Sequence, residues 1–109
     1  MTAKPVIPRE QARKDVEEAV NYYVREAGDQ TALSFIGALE STFRTIADNP
    51  ATGSPRYAHE LDLPGLRSKI LKQYPYLIFY VELEDHIDVW RVLHAHRDIP
   101  AWMQPPDGE

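Results

Sequence analysis

The sequence contains no cysteine, which excludes disulfides, thiolate nucleophiles and every zinc site built on sulfur. Long hydrophobic runs are missing as well. The longest uncharged apolar stretch, Tyr74 to Val81, is strand-sized and far short of the ~20 residues that cross a bilayer. The opening MTAKPVIPREQ lacks the apolar centre of a signal peptide, so a cytoplasmic protein with no membrane association is the expectation. Glycine is scarce. Gly53 and Gly65 stand alone, so there is no glycine loop of the kind that cradles phosphates. None of Ser34, Ser41, Ser54 and Ser68 sits in a G-x-S-x-G elbow, which removes the usual setting of a nucleophilic serine.

What is present describes one small domain. A chain of 109 residues buries roughly two-thirds of its unfolded surface, enough for a single two-layer core. That core is expected from about residue 6 to residue 103, with a polar tail over residues 104–109. The net charge of −5 is uneven. Residues 1–50 carry −2, residues 51–81 carry +2 and residues 82–109 carry −5. An acidic total disfavours sequence-independent nucleic-acid binding, which depends on Lys and Arg neutralising phosphates.

Val6 and Ile7, bracketed by Pro5 and Pro8, predict a very short strand at a sheet edge, where missing donors are tolerated. Ala12, Val16, Ala19, Val20, Tyr23 and Ala27 then recur at spacings of three and four, one face of an amphipathic helix. Gly28 suits its C-terminal cap, and Asp29 suits the N-cap of the next helix. Leu33, Ile36, Leu39, Phe43, Ile46 and Ala47 repeat the stripe until Asn49 and Pro50 stop it. Two adjacent long helices with so short a link form an antiparallel hairpin. After a loop rich in Pro, Gly and Ser come LRSKIL, YLIFYVEL and IDVWRVLH, three strand-like runs, of which the last alternates. The short EDH link makes the last two antiparallel. DIPAWM reads as a short helix or ordered tail. The fold class expected is α+β: a short N-terminal strand, a two-helix hairpin and a three-stranded antiparallel meander. In that two-layer sandwich the helices cover one sheet face and leave the other open.

The candidate chemistry is sparse. His94 and His96 share a strand face, yet an H-x-H pair needs further ligands, and none stands at a recognisable spacing. Neither a metal nor any other cofactor is expected. Asp15, Glu17 and Glu18 read as a solvated helix face. Arg67 and Lys69 alternate on one strand, while Arg91 and Arg97 lie in and just past the last one. Either Arg67 and Lys69 are solvent-facing strand charges paired with Asp62, Glu82 or Asp88, or the basic set lines the open sheet face. The second arrangement would clamp the transition state of metal-free RNA cleavage.

Taken together, ADNPATGSP after two amphipathic helices, PGLRSKIL, YPYLIFYVE and VWRVLHAHRDIPAWM resemble the RelE/ParE superfamily of toxins. The similarity is closer to the ParE branch of type II toxin–antitoxin systems, also called plasmid stabilisation proteins, and runs from about Val6 to Met103. Ala95 departs from the glycine that often follows the histidine in that branch. The resemblance implies a toxin held in a hetero-oligomer by a ParD-like antitoxin, whose C-terminal segment folds over the helices and sheet. Contact with DNA then runs only through the antitoxin. For the RelE branch it implies a ribosome-dependent mRNA endonuclease, with Arg67, Lys69 and Arg97 in catalytic places. Leu77 stands where that branch has an arginine, and Trp102 and Met103 where it has a tyrosine. For the ParE branch it implies inhibition of DNA gyrase by binding, not by catalysis. Arg91, His94, Arg97 and Trp102 are the contact residues expected on that reading. A third possibility is a non-toxic homologue that only binds antitoxin.

Overall fold

The three- and four-residue spacing of apolar positions becomes two long helices in the computed structural model, which describes residues 3–96 and 99–103. β1 (Val6–Pro8) leads into α1 (Glu10–Ala27) and α2 (Asp29–Asp48). Gly28 joins the helices at φ +93°, a conformation that costs a side-chain-bearing residue energy, and its N–H donates to Tyr23 O at 2.9 Å. Gly28 therefore serves both helix ends, and Asp29, expected as N-cap, is instead the first helical residue. A 3₁₀ turn (Pro50–Thr52) and a five-residue helix α3 (Arg56–Glu60) occupy the loop that follows. Then come β2 (Leu66–Ile70), β3 (Tyr76–Glu82), β4 (Ile87–His94) and α4 (Ile99–Trp102).

The expected antiparallel meander is present, and β1 extends it to a four-stranded mixed sheet of order β1-β4-β3-β2. β1 pairs with β4 in parallel, with Val6 opposite Ile87 and Pro8 opposite Val89. The alternation expected throughout β4 breaks once. Tyr80 faces Val89 but Phe79 faces Arg91, so Trp90 is the extra residue of a bulge. The bulge has a packing consequence. Val89 and Val92, three residues apart, both enter the core beneath the helices. In a regular strand, that spacing would put them on opposite faces.

Beneath the helices lie Ala12, Ala19, Phe35, Leu39, Ile46, Tyr76, Ile78, Tyr80, Ile87, Val89 and Val92. Ala32 and Phe35 carry the start of the α2 stripe, whereas Leu33, expected in it, is exposed. The opposite sheet face, expected to be open, is covered. Leu66, Phe79, Leu93 and Ile99 are buried there, packed against Tyr57, Ala58, Leu61, Leu63, Trp90 and Met103. α3 and α4 supply this cover, and they follow from short apolar stretches that carry no helical period. Central β3 is thus buried on both sides through Ile78, Phe79 and Tyr80, which is why YLIFY is continuously apolar.

Tyr80 also fixes the loop after α2. Its hydroxyl donates to Pro50 O at 2.6 Å and accepts from the Gly53 N–H at 2.9 Å. Any Cβ at Gly53 would overlap the Tyr80 ring, so only glycine lets this backbone approach so closely. Ser54 and Ser68 exchange backbone hydrogen bonds of 2.8 and 2.9 Å and extend the contact along the edge of β2. Burial pushes the Tyr80 hydroxyl above its ordinary pKa. The folded protein holds that proton more tightly than the unfolded chain does. The associated stability is present below about pH 10 and is lost as pH rises through the raised value.

Two outcomes follow from this packing. Tyr80→Phe leaves the buried Gly53 N–H without its acceptor and lowers unfolding stability by about 1–3 kcal/mol in urea titrations. The same variant loses stability less steeply than the parent above about pH 10, because its side chain has no proton to release. Phe79→Ala removes the centre of the second cluster and costs about 3–5 kcal/mol. A cost below ~1 kcal/mol would mean that α3 and α4 do not close that face.

Candidate partner-binding groove

β1 is only three residues long, so its pairing with β4 ends at Val89, where the Arg9 N–H donates to Val89 O at 2.9 Å. Beyond that point the chain has turned into α1, and the outer edge of β4 needs another partner. Asp15 supplies it. One carboxylate oxygen accepts the backbone N–H of Val92 at 3.1 Å and Arg91 Nε at 2.8 Å. The other accepts Arg91 Nη2 at 2.9 Å. The side chains of Arg91 and Asp15 are 15% and 6% exposed, so this is a buried, two-pronged ion pair. Arg91 Nη1 donates onward to Trp102 O at 2.7 Å, and the guanidinium lies 5.7 Å from the Trp102 ring.

Past this ion pair, α1 and β4 diverge into an open groove of about 610 Å³. Asp15, Glu18, Asn21, Tyr22 and Arg25 of α1 form one wall, and Val92, Leu93, His94 and His96 with Tyr76 form the other. The His94 ring meets Tyr76 edge-on at 5.2 Å and lies 5.2 Å from the His96 ring. His94 Nδ1 accepts the His96 backbone N–H at 3.2 Å, which puts the proton of a neutral His94 on Nε2. The walls offer aromatic surface, both signs of charge and imidazole donors. That mixture suits a peptide segment better than a small apolar ligand.

The structure keeps Arg67 and Lys69 together and sets them apart from Arg91. Arg67 and Lys69 sit opposite Tyr80 and Ile78, so they lie on the helix-side face of β2 and not on a shared open face. Arg67 Nη1 donates to Gly53 O at 2.8 Å and Ala51 O at 3.3 Å, and Lys69 Nζ donates to Thr52 Oγ1 at 3.2 Å. Both cations bind the loop that Tyr80 binds. Glu82 and Asp88, considered as their partners, pair instead with Lys4 and Arg9, each at 2.8 Å. Arg91 stands across β3 from them, about 10 Å away by strand spacing. Leu77 lies beside the second apolar cluster. Arg97 lies outside the described residues. Trp102 is 41% exposed at the protein surface. Among the described residues, no three His, Cys, Asp or Glu side chains gather into a metal site. No helix in them is long and apolar enough to cross a membrane.

Asp15 is the residue that sequence reasoning misplaced. It was assigned with Glu17 and Glu18 to a solvated face, and those two are exposed. Asp15, however, falls between Ala12 and Ala19 at spacings of three and four, squarely on the buried stripe. A carboxylate in that register signals a buried partner. The strand-like runs hold two arginines, Arg67 in LRSKIL and Arg91 in IDVWRVLH.

Among curated proteins no sequence matches the chain. Among solved structures, a chain described as a chromosomal ParDE TA system from P. aeruginosa superposes with a TM-score of 0.73 at 17% identity. The match covers 86% of this chain and 98% of that one, and at such identity it establishes a shared fold. The family described as "ParE toxin of type II toxin-antitoxin system, parDE" matches residues 6–99. That span takes in both helices, the whole sheet and the groove between α1 and β4, and it makes the chain a member of the ParE toxin family of type II toxin–antitoxin systems.

Proposed function

We propose that this protein is a toxin that inhibits DNA gyrase by binding it and is neutralised by a ParD-like antitoxin in a hetero-oligomer. The observation that carries this reading is the family match over residues 6–99. The geometry favours binding over bond cleavage. Arg67 and Lys69 hold a loop through backbone and hydroxyl oxygens, and Arg91 is committed to Asp15 and Trp102. These cations are spent on structure and do not converge on a point where a phosphate could react. The proposed surface for gyrase is the C-terminal end of the sheet with Trp102 and Arg97, and the proposed place of work is the cytoplasm. The antitoxin segment is assigned to the groove between α1 and β4, where Tyr22, Arg25, His94 and His96 would meet it.

Added to purified gyrase with plasmid and ATP, the protein lowers supercoiling and accumulates cleaved DNA, and antitoxin reverses both effects. Unchanged supercoiling and cleavage would remove gyrase as the target. The groove assignment has its own check. Replacing Tyr22 with Ala and Arg25 with Glu together weakens antitoxin binding at least about tenfold by calorimetry, the effect typical of losing interface anchors. Unaltered affinity would place the antitoxin elsewhere.

A further inference from the structure

α4 is four residues long, far too short to persist as a helix on its own strength. Its place is set by what it touches. On its inner side Ile99 is buried in the second cluster, with Met103 packed beside it. Toward β4, the Trp102 carbonyl receives Arg91 Nη1 at 2.7 Å.

A guanidinium is planar and rigid, so fixing two of its nitrogens fixes the third. Asp15 fixes Nε and Nη2 at 2.8 and 2.9 Å. The direction in which Nη1 points toward Trp102 is therefore set on α1, in an element that has no place in the C-terminal segment. The same plane approaches the Trp102 ring at 5.7 Å, so both the carbonyl and the indole of this residue are referred to one carboxylate.

We infer that Asp15 is a positioning residue which, through Arg91, sets where α4 and the exposed Trp102 stand on the protein. This rests on the proposed reading only where it concerns gyrase, since the placement of Trp102 is a property of the chain alone. The competing account is that Asp15 merely caps the Val92 N–H and steadies the sheet edge. Asp15→Asn separates the two. Its amide oxygen still accepts the Val92 N–H, but its amide nitrogen opposes the guanidinium. Arg91→Lys is the companion variant. It keeps a cation beside Asp15 but lacks the fork that reaches carboxylate and carbonyl together.

Both variants are made in a Trp90→Phe background, which leaves Trp102 as the single tryptophan, and acrylamide quenching of its fluorescence is measured. The expected result is a rise of about twofold, the ratio of full exposure to the present 41%, with the far-ultraviolet circular dichroism of a folded protein retained. Gyrase inhibition, assayed on the same substitutions with Trp90 intact, falls about tenfold. Quenching that stays at the parent value in a folded variant overturns the inference. Should Asp15→Asn fail to fold, Arg91→Lys decides the question by the same reading. A quenching rise with undiminished inhibition upholds the positioning role and overturns Trp102 as a gyrase contact. A parent protein without effect on gyrase removes the proposed target while the quenching result stands.

Discussion

The strand at the centre of this protein's last motif outruns its neighbour, and the carboxylate of Asp15 completes the edge that is left. β1 ends at Pro8 because the chain enters α1 at Glu10, and its last bond to β4 is the Arg9 N–H donated to Val89 O. The chain must then enter α1 directly over the unfinished edge. An aspartate on the buried stripe of that helix meets the Val92 N–H and the Arg91 guanidinium at once. Burying two charges is costly, and the cost is offset only because every donor in reach is used: three hydrogen bonds between Asp15 and β4, and one from Arg91 to Trp102. Losing one partner of such a pair leaves the other charged and buried, which typically costs about 3–5 kcal/mol.

The bulge at Trp90 belongs to the same arrangement. By absorbing one residue it returns Val92 to the helix-side core, while Arg91, paired with Phe79, reaches Asp15 of α1 through Nε and Nη2. Trp90 itself is turned to the second face, where its Nε1 donates to Asp88 at 3.1 Å and Arg9 stacks at 4.7 Å over its ring. Asp88 in turn takes Arg9 through both carboxylate oxygens. Two acid–arginine pairs therefore bracket the bulge, one partly exposed and tying β1 to β4, the other buried and tying α1 to β4. The sheet's remaining cations do comparable work at its opposite edge, where Arg67 and Lys69 grip the turn after α2.

The periodic elements were legible in the sequence because their signal is local. A 3.6-residue stripe gives α1 and α2, and Gly28 gives the turn between them. The three strands of the meander are runs of β-branched and aromatic residues between turn formers. What escaped is what depends on distant neighbours. α3 is too short to show a period, and DIPAWM, legible as a short helix or ordered tail, does not reveal what it covers, so the second face looked open, although the unbroken apolar run Ile78-Phe79-Tyr80 already demanded cover on both sides. Arg67, Lys69 and Arg91 were legible as cations but not as the hydrogen-bond donors of a particular loop, helix and carbonyl, because a partner's identity lies in tertiary packing. The burial of Asp15 was also legible, since its register between Ala12 and Ala19 on the stripe is plain.

The position of Asp15 also bears on how the two proposed surfaces relate. The carboxylate lines the groove assigned to the antitoxin and, through Arg91, reaches the carbonyl of Trp102 on the surface assigned to the target. On the proposed reading the two surfaces are linked through one buried ion pair, with Asp15 lining the groove and Arg91 donating to the Trp102 carbonyl. A segment lying in the groove meets α1 at Glu18, Tyr22 and Arg25, within two or three helical turns of Asp15. Any shift of α1 against β4 there would pass to the guanidinium plane before it passed to the hydrophobic layer, because the ion pair is directional and the apolar contacts are not. On the proposed reading, a partner that binds between helix and strand acts at the place where the position of the C-terminal segment is decided.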